Sequence, residues 1–304
     1  MKSKGKRLKE LMAGPEIVII PGAYDGYSAR LVEAAGFQCA SASGAGISES
    51  HLGWADKGVM SFKDNVAACR DIAAFSNLLL LADADTGYGN AVTVHFVVRA
   101  FEDAGVASVM IEDQVWPKRC GHMAGKQVIP AEEMVQKVRA GAEARRDPDF
   151  CIRARTDAAG PLGINAAIDR LNMYAEAGAD LLFADALMSA ADIEKVARNV
   201  PKPLTVNMGL GIRSRKTTPL IHPKKLQEMG VAAVSYPRLL STSAMRGMMN
   251  AMDAFKGMLA GSEAVDRPDL LVSFEELNTL TGFDELTAMD ERYATQPATP
   301  RAAE

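Results

Sequence analysis

Short apolar runs recur along the chain with little polar alternation inside them, at 17–20, 38–43, 78–83, 107–112, 150–156, 180–184, 203–207 and 232–236. A half-solvated strand alternates apolar and polar positions, whereas a strand covered on both faces of a parallel sheet does not. The runs therefore read as parallel strands. Between them the apolar positions take helical spacing, most clearly at 62–75, 91–104, 131–145, 165–177, 190–199 and 223–229. Several helical segments end on glycine, in Ala35-Gly36, Ala104-Gly105, Ala177-Gly178 and Met229-Gly230. Glycine there suits the left-handed residue that closes a helix.

Eight strands with intervening helices predict an α/β fold, a (β/α)8 barrel. A doubly wound sheet would carry a Gly-x-Gly-x-x-Gly turn after an early strand. Ser43-Gly44-Ala45-Gly46 is half of such a turn, and no helix is expected to start there. Residues 1–304 read as one barrel domain, with an N-terminal helix within 1–14 and a C-terminal helical extension and tail over 262–304.

Polar residues stand where the apolar runs stop. Asp83 and Asp85 follow the third run, Glu112 the fourth, Arg155 and Asp157 the fifth, Asp185 the sixth and Asn207 the seventh. In a barrel the C-terminal strand ends face one cavity, so these residues would ring one site. Carboxylates crowded together repel, and a hard divalent cation is the expected organiser. Mg²⁺, with Mn²⁺ as a substitute, takes oxygen ligands and keeps waters, so one direct carboxylate suffices. Lys118-Arg119-Cys120-Gly121-His122 sets a thiol among two cations and a histidine. That setting favours the thiolate and supplies an acid–base group.

Composition narrows the partners. A net charge of −4 gives no reason to expect nucleic acid or a membrane surface. The apolar runs are too short to span a bilayer, and the basic start, Met1 to Arg7, lacks the apolar stretch of a secretory signal. Cysteines 39, 69, 120 and 151 match no zinc spacing and read as reduced thiols of a cytoplasmic protein.

From about residue 8 to 290 the chain resembles the isocitrate lyase/phosphoenolpyruvate mutase superfamily, near its 2,3-dimethylmalate and 2-methylisocitrate lyases. The motifs that carry the likeness are Pro21-Gly22-Ala23-Tyr24-Asp25, Ser43-Gly44, Leu52-Gly53 with Asp56, and Asp83 to Asn90. Ile111 to Gln114, Lys118 to His122, Ala154 to Ala158 and Tyr236-Pro237 complete them. The resemblance implies that Asp85 binds Mg²⁺ directly, while Asp56, Asp83 and Glu112 hold waters on the metal. It implies that Ser43, Gly44 and Ala45 contact the keto-acid half of the substrate, with Gly121, Asp185 and Asn207 also at the substrate. Arg155 and His122 would stabilise an oxyanion. Cys120 would be the general acid, with Lys118 among the catalytic groups. The implied reaction is Mg²⁺-dependent cleavage of a 2-hydroxy di- or tricarboxylate to a 2-keto acid and a second acid. A homotetramer of dimers that exchange an eighth helix is also implied.

Three positions depart from the lyase pattern. A tyrosine expected two residues before Ser43 is Ser41, and a glutamate expected after the sixth strand is Asp185. The seventh-strand loop, 207–219, is longer, lacks its usual glutamate and carries Arg213, Arg215 and Lys216. Such a loop is either solvated surface or a sign of an extra anionic group on the substrate. The rival functions are an oxaloacetate hydrolase or decarboxylase on the same scaffold, and a binding protein without catalysis. Cys120 argues against the decarboxylase alone.

Overall fold

The computed structural model describes residues 2–118, 125–210, 212, 218–261 and 263–295. It divides into two compact units, residues 1–243 and 244–304.

The first unit opens with α1 (Lys4–Met12), then alternates strands and helices. The strands are β1 (Val18–Ala23), β2 (Cys39–Ala42), β3 (Leu79–Asp83) and β4 (Ser108–Glu112), then β5 (Cys151–Thr156), β6 (Leu181–Ala184), β7 (Leu204–Asn207) and β8 (Ala233–Tyr236). After β1 comes α2 (Gly26–Ala34); after β2 come α3 (Gly44–Ile47) and α4 (Phe62–Ala74). α5 (Ala91–Asp103) and α6 (Ala131–Ala144) follow β3 and β4. α7 (Ala159–Leu162) and α8 (Ile164–Glu176) follow β5, α9 (Ala190–Arg198) follows β6 and α10 (Pro223–Glu228) follows β7. α11 (Leu239–Leu259) begins in the first unit and crosses into the second, which adds α12 (Phe274–Thr281) and α13 (Phe283–Tyr293).

The eight strands are parallel and close into a barrel in sequence order, β8 pairing back onto β1 through Val18↔Ala233 to Pro21↔Tyr236. The expected (β/α)8 barrel is therefore the fold. β1 runs on through Pro21-Gly22-Ala23, beyond the apolar run that announced it. Gly22 is required there, because a Cβ would meet the Pro237 carbonyl oxygen at 2.1 Å. The sequence also hid α3. Ser43 caps it, its Oγ accepting from Gly46 N–H at 3.1 Å, and that cap offsets the poor helix propensity of two glycines.

Strand residues two apart share a face, and this sorts the barrel interior into levels. At the N-terminal end Ile20, Cys39, Leu79, Leu81, Cys151, Leu181 and Ala233 pack with Leu8 and Met12 of α1. α1 thus closes the floor. Gly5 permits its approach, since a Cβ would sit 2.2 Å from the Asp149 carbonyl oxygen. Lys4 Nζ donates to the Gly105 carbonyl at 2.9 Å, and Lys9 pairs with Asp180 at 3.2 Å. The outer faces of the strands and the inner faces of the helices form the larger apolar core, with Val94, Val98, Phe101, Ile152, Leu171 and Val206 among its buried members.

Candidate active site

β3 ends at Asp83, and the chain turns at once. Asp85 takes φ 49°, in the left-handed region that only a few non-glycine residues adopt, and its N–H donates to Asp83 Oδ1 at 3.0 Å. Such backbone persists where the surroundings over-determine it. The Asp85 carbonyl accepts from Glu112 N–H at 2.8 Å, which locks the turn to the end of β4. Asn65 of α4 adds a bond from Nδ2 to the Asp83 carbonyl at 2.7 Å. Gly44 packs against the Asp83 side chain, where a Cβ would lie 3.1 Å from Oδ2.

Glu112 and Asp113 are adjacent, so they face opposite ways. Glu112 points inward and is fully withdrawn from solvent; Asp113 points into the wall. Asp113 accepts from Thr156 Oγ1 at 2.7 Å, Tyr174 OH at 2.8 Å, Asp157 N–H at 2.9 Å and Arg170 Nη1 at 3.0 Å. It is the hub that fixes the end of β5 against α8.

Two cations stitch the acids together. Lys118 is 4% exposed and contacts Asp56 Oδ1 at 2.5 Å and Asp85 Oδ1 at 2.7 Å. Burial works against its charge, but Asp85, Glu112, Asp56 and Asp83 together hold its pKa well above the usual lysine value. Arg155 lies 3.1 Å from Glu112, 2.8 Å from Asp157 and 2.9 Å from Asp185. Lys126 adds a contact to Asp157 at 2.6 Å. Burial disfavours Asp157 as an anion, yet Arg155 and Lys126 outweigh it and hold the carboxyl well below the usual range.

Asp85 and Glu112 behave differently. Burial pushes Asp85 up to about 6, with Lys118 opposing and Asp83 and Asp56 adding to the rise. Burial likewise lifts Glu112 well above the ordinary carboxylate value, against Arg155. Glu112 Oε1 is buried and accepts no hydrogen bond, and the buried Asp85 Oδ1 meets only the Lys118 ammonium. Buried acceptors of this kind are costly without a partner. A divalent cation and its waters would satisfy both, so the residues present fit Mg²⁺. Among the described residues no three His, Cys, Asp or Glu side chains are drawn together as a ready-made ligand set. The Lys118 ammonium now rests on oxygens such a cation would use.

The cavity at this end is lined by Ser41, Ser43, Ala45, Asp56, Asp83, Lys118, Arg155, Asp185 and Asn207. Most residues singled out in the sequence thus meet at one mouth. Cys120, Gly121 and His122, and the cations Arg213, Arg215 and Lys216, lie outside the described residues. The Ser43 hydroxyl is engaged as the α3 cap, while Asn207 Oδ1 is buried without a partner. Sequence reasoning missed Arg153 and Lys126. The spacing of Cys151, Arg153 and Arg155 in steps of two was the available signal for Arg153, because it puts both arginines on one strand face. Lys126 had no such signal, being a loop residue far from Asp157 in sequence.

A closed (β/α)8 barrel whose C-terminal mouth gathers acids bridged by cations defines the class: a barrel with its polar site where barrel enzymes keep theirs. The chain belongs to the phosphoenolpyruvate phosphomutase family, whose profile matches residues 8–256. It is 36% identical to 2,3-dimethylmalate lyase of Eubacterium barkeri, over 95% of this chain and 98% of that one. It is 38% identical to probable 2-methylisocitrate lyase 2 of Corynebacterium glutamicum, over 96% and 93%. The crystal structure of a 2,3-dimethylmalate lyase superposes with TM-score 0.89 at 31% identity, covering 100% and 99% of the two chains. Oxaloacetate acetylhydrolase bound to 3,3-difluorooxalacetate superposes with TM-score 0.87 at 29% identity, covering 95% and 97%.

Proposed function

We propose that the protein is a Mg²⁺-dependent carbon–carbon lyase acting on a 2-hydroxy di- or tricarboxylate of the 2,3-dimethylmalate or 2-methylisocitrate type. The observation that carries this is the buried, unpartnered Glu112 Oε1 beside the Arg155 guanidinium, together with the buried Asp85 Oδ1, which meets only the Lys118 ammonium. Kinship with lyases of those two substrates supports the same reading.

Asp85 would hold the metal directly, and Asp56, Asp83 and Glu112 through waters. When bound, Mg²⁺ would supply Lewis-acid polarisation of the substrate's hydroxyl and carboxylate oxygens. Ser43, Gly44 and Ala45 would orient the keto-acid half with hydroxyl and backbone N–H groups. As the hydroxyl proton passes to a carboxylate of the mouth, such as Asp83 or Asp185, the C2–C3 bond would break. C2 becomes the ketone, and the bonding pair passes to C3 as the enolate of the second carboxylate. Arg155, with His122, would stabilise that negative charge. Cys120 would deliver a proton to C3 and finish as a thiolate, which Lys118 and Arg119 favour. Lys118 meets Asp56 and Asp85 in the structure, so it would have to yield those oxygens to the metal before acting near the thiol.

Cys39, Cys69 and Cys151 are free, buried thiols, which supports a reducing, cytoplasmic setting. No helix among the described residues is long and apolar enough to cross a membrane. The assembly proposed is a homotetramer of helix-exchanging dimers. The direct test of the metal is chelation. EDTA should abolish 2-keto acid release from either substrate, and Mg²⁺ or Mn²⁺ should restore it. Full turnover by metal-free protein would refute the metal's role.

A further inference from the structure

Below the acidic mouth the barrel holds a second polar level where such barrels are usually filled by branched aliphatic side chains. Ser41, Arg153, Thr205 and Ser235 are all buried there, each two residues beneath a residue of the cavity mouth. Thr205 and Ser235 spend their hydroxyls on the carbonyls of Leu182 and Val206, at 3.0 and 3.3 Å. Arg153 differs from its neighbours. It is 2% exposed, and its Nε and Nη1 have no hydrogen-bond partner.

The other cations lining the cavity have acids to face. Lys118 has Asp56 and Asp85, Arg155 has Glu112, Asp157 and Asp185, and Arg238 has Glu49. Among the described residues no carboxylate forms an ion pair with Arg153. Its guanidinium carbon lies 5.6 Å from the centre of the Phe183 ring, which Arg155 approaches at 5.5 Å. Burial lowers its pKa to about 10, with Asp83 opposing the fall, so it remains a cation at neutral pH. The level beneath it is apolar and sealed by α1, so nothing below supplies a counter-charge. A buried charge without a partner weakens a fold. Among the described residues of this cavity, Arg153 is the cation without a carboxylate ion pair.

We propose that Arg153 forms a deep anion subsite that receives a third carboxylate, so that the site selects a tricarboxylate over a dicarboxylate. This rests on the lyase reading, which assigns the other two carboxylates to the mouth: one beside the scissile hydroxyl and one on the departing half, next to Arg155. The third would project down the barrel axis toward Arg153. Ser41 lines the same cavity as Arg153, and its side chain is smaller than the tyrosine expected there.

The test uses tricarballylate and succinate, a tricarboxylate and a dicarboxylate that lack the hydroxyl and are not cleaved. Calorimetry in saturating Mg²⁺ should show the wild-type protein binding tricarballylate at least about tenfold more tightly than succinate, the weight of one charge-assisted contact. Arg153→Met should erase that preference, leave succinate binding in place and raise the thermal midpoint of the unliganded protein. Arg153→Lys should keep part of the preference. If Arg153→Met weakens both ligands alike, or leaves the preference intact, the subsite is refuted. A lower midpoint in Arg153→Met also refutes it, because Arg153 is then a structural residue. If the preference appears as described while neither 2-methylisocitrate nor 2,3-dimethylmalate is cleaved, the lyase reading fails and the subsite stands.

Discussion

Cys120 is the residue on which the proposed proton transfer turns. Burial pushes the Cys39 and Cys151 thiols up to about 12, and Cys69 is raised further in the same direction, so these three stay protonated and inert at neutral pH. Cys120 is set apart by its flanking cations and histidine. Cys120→Ser is nearly isosteric but replaces an acidic thiol with a hydroxyl. Its kcat should fall roughly 10²–10⁴-fold, the usual weight of general acid catalysis, with substrate affinity and thermal midpoint unchanged. A near-normal kcat would remove Cys120 from the mechanism. Positions at the mouth were legible in the sequence wherever a polar side chain ended an apolar run, as at Asp83, Glu112 and Asp185. Arg153 carried only the weaker signal of its two-residue step to Arg155, because one cation inside Cys151-Ile152-Arg153-Ala154 does not interrupt the appearance of a buried strand. The placement of Lys118 was illegible for another reason. A long, flexible side chain in a loop finds its partner through tertiary structure, and the sequence suggested Cys120 as its neighbour rather than Asp56 and Asp85.

Among the elements, β5 contributes most to the site. Its inward face carries Arg153 and Arg155, and its end is tied down by Asp113 through Thr156 and the Asp157 backbone. Asp157 then anchors Arg155 and Lys126. Asp157→Asn leaves two buried cations short of an anion and should cost about 3 kcal/mol at neutral pH. The folded carboxyl ionises well below the unfolded value of roughly 3.9, so the wild-type advantage is complete above about pH 5 and is lost as pH falls beneath 4. Thermal midpoints of the two proteins should therefore differ by a constant amount from pH 5 to 8 and converge in acid. A gap that persists unchanged to pH 2 would mean that packing, not charge, makes the difference. Element positions were legible because parallel strands buried on both faces leave unbroken apolar runs, and the eight observed strands all overlap the runs that predicted them. α3 was not legible, since a single serine cap and one turn of glycine-rich chain produce no periodicity.

For the whole molecule, the second unit poses the remaining packing question. α11 is 21 residues long without a buried side chain, and Met245, Met248, Met249, Met252 and Phe255 are each about half exposed or more. In α12 and α13, Phe274 and Phe283 are also exposed. We read this apolar area as the association surface of the proposed assembly, which exchange of an eighth helix between neighbours would cover. Light scattering after gel filtration should give four chain masses. Met248→Asp combined with Phe255→Asp should give a smaller species at the same concentration. A wild-type monomer would contradict the proposed assembly.

The reaction itself is tested most directly by running it in D₂O with Mg²⁺ and 2-methylisocitrate and identifying both products by NMR and mass spectrometry. A lyase that protonates C3 should release one 2-keto acid and one second carboxylic acid in equal amounts, the second acid carrying a single deuterium at the former C3. No cleavage of that substrate or of 2,3-dimethylmalate, together with conversion of oxaloacetate to oxalate and acetate, would contradict the lyase and identify a hydrolase built on the same barrel.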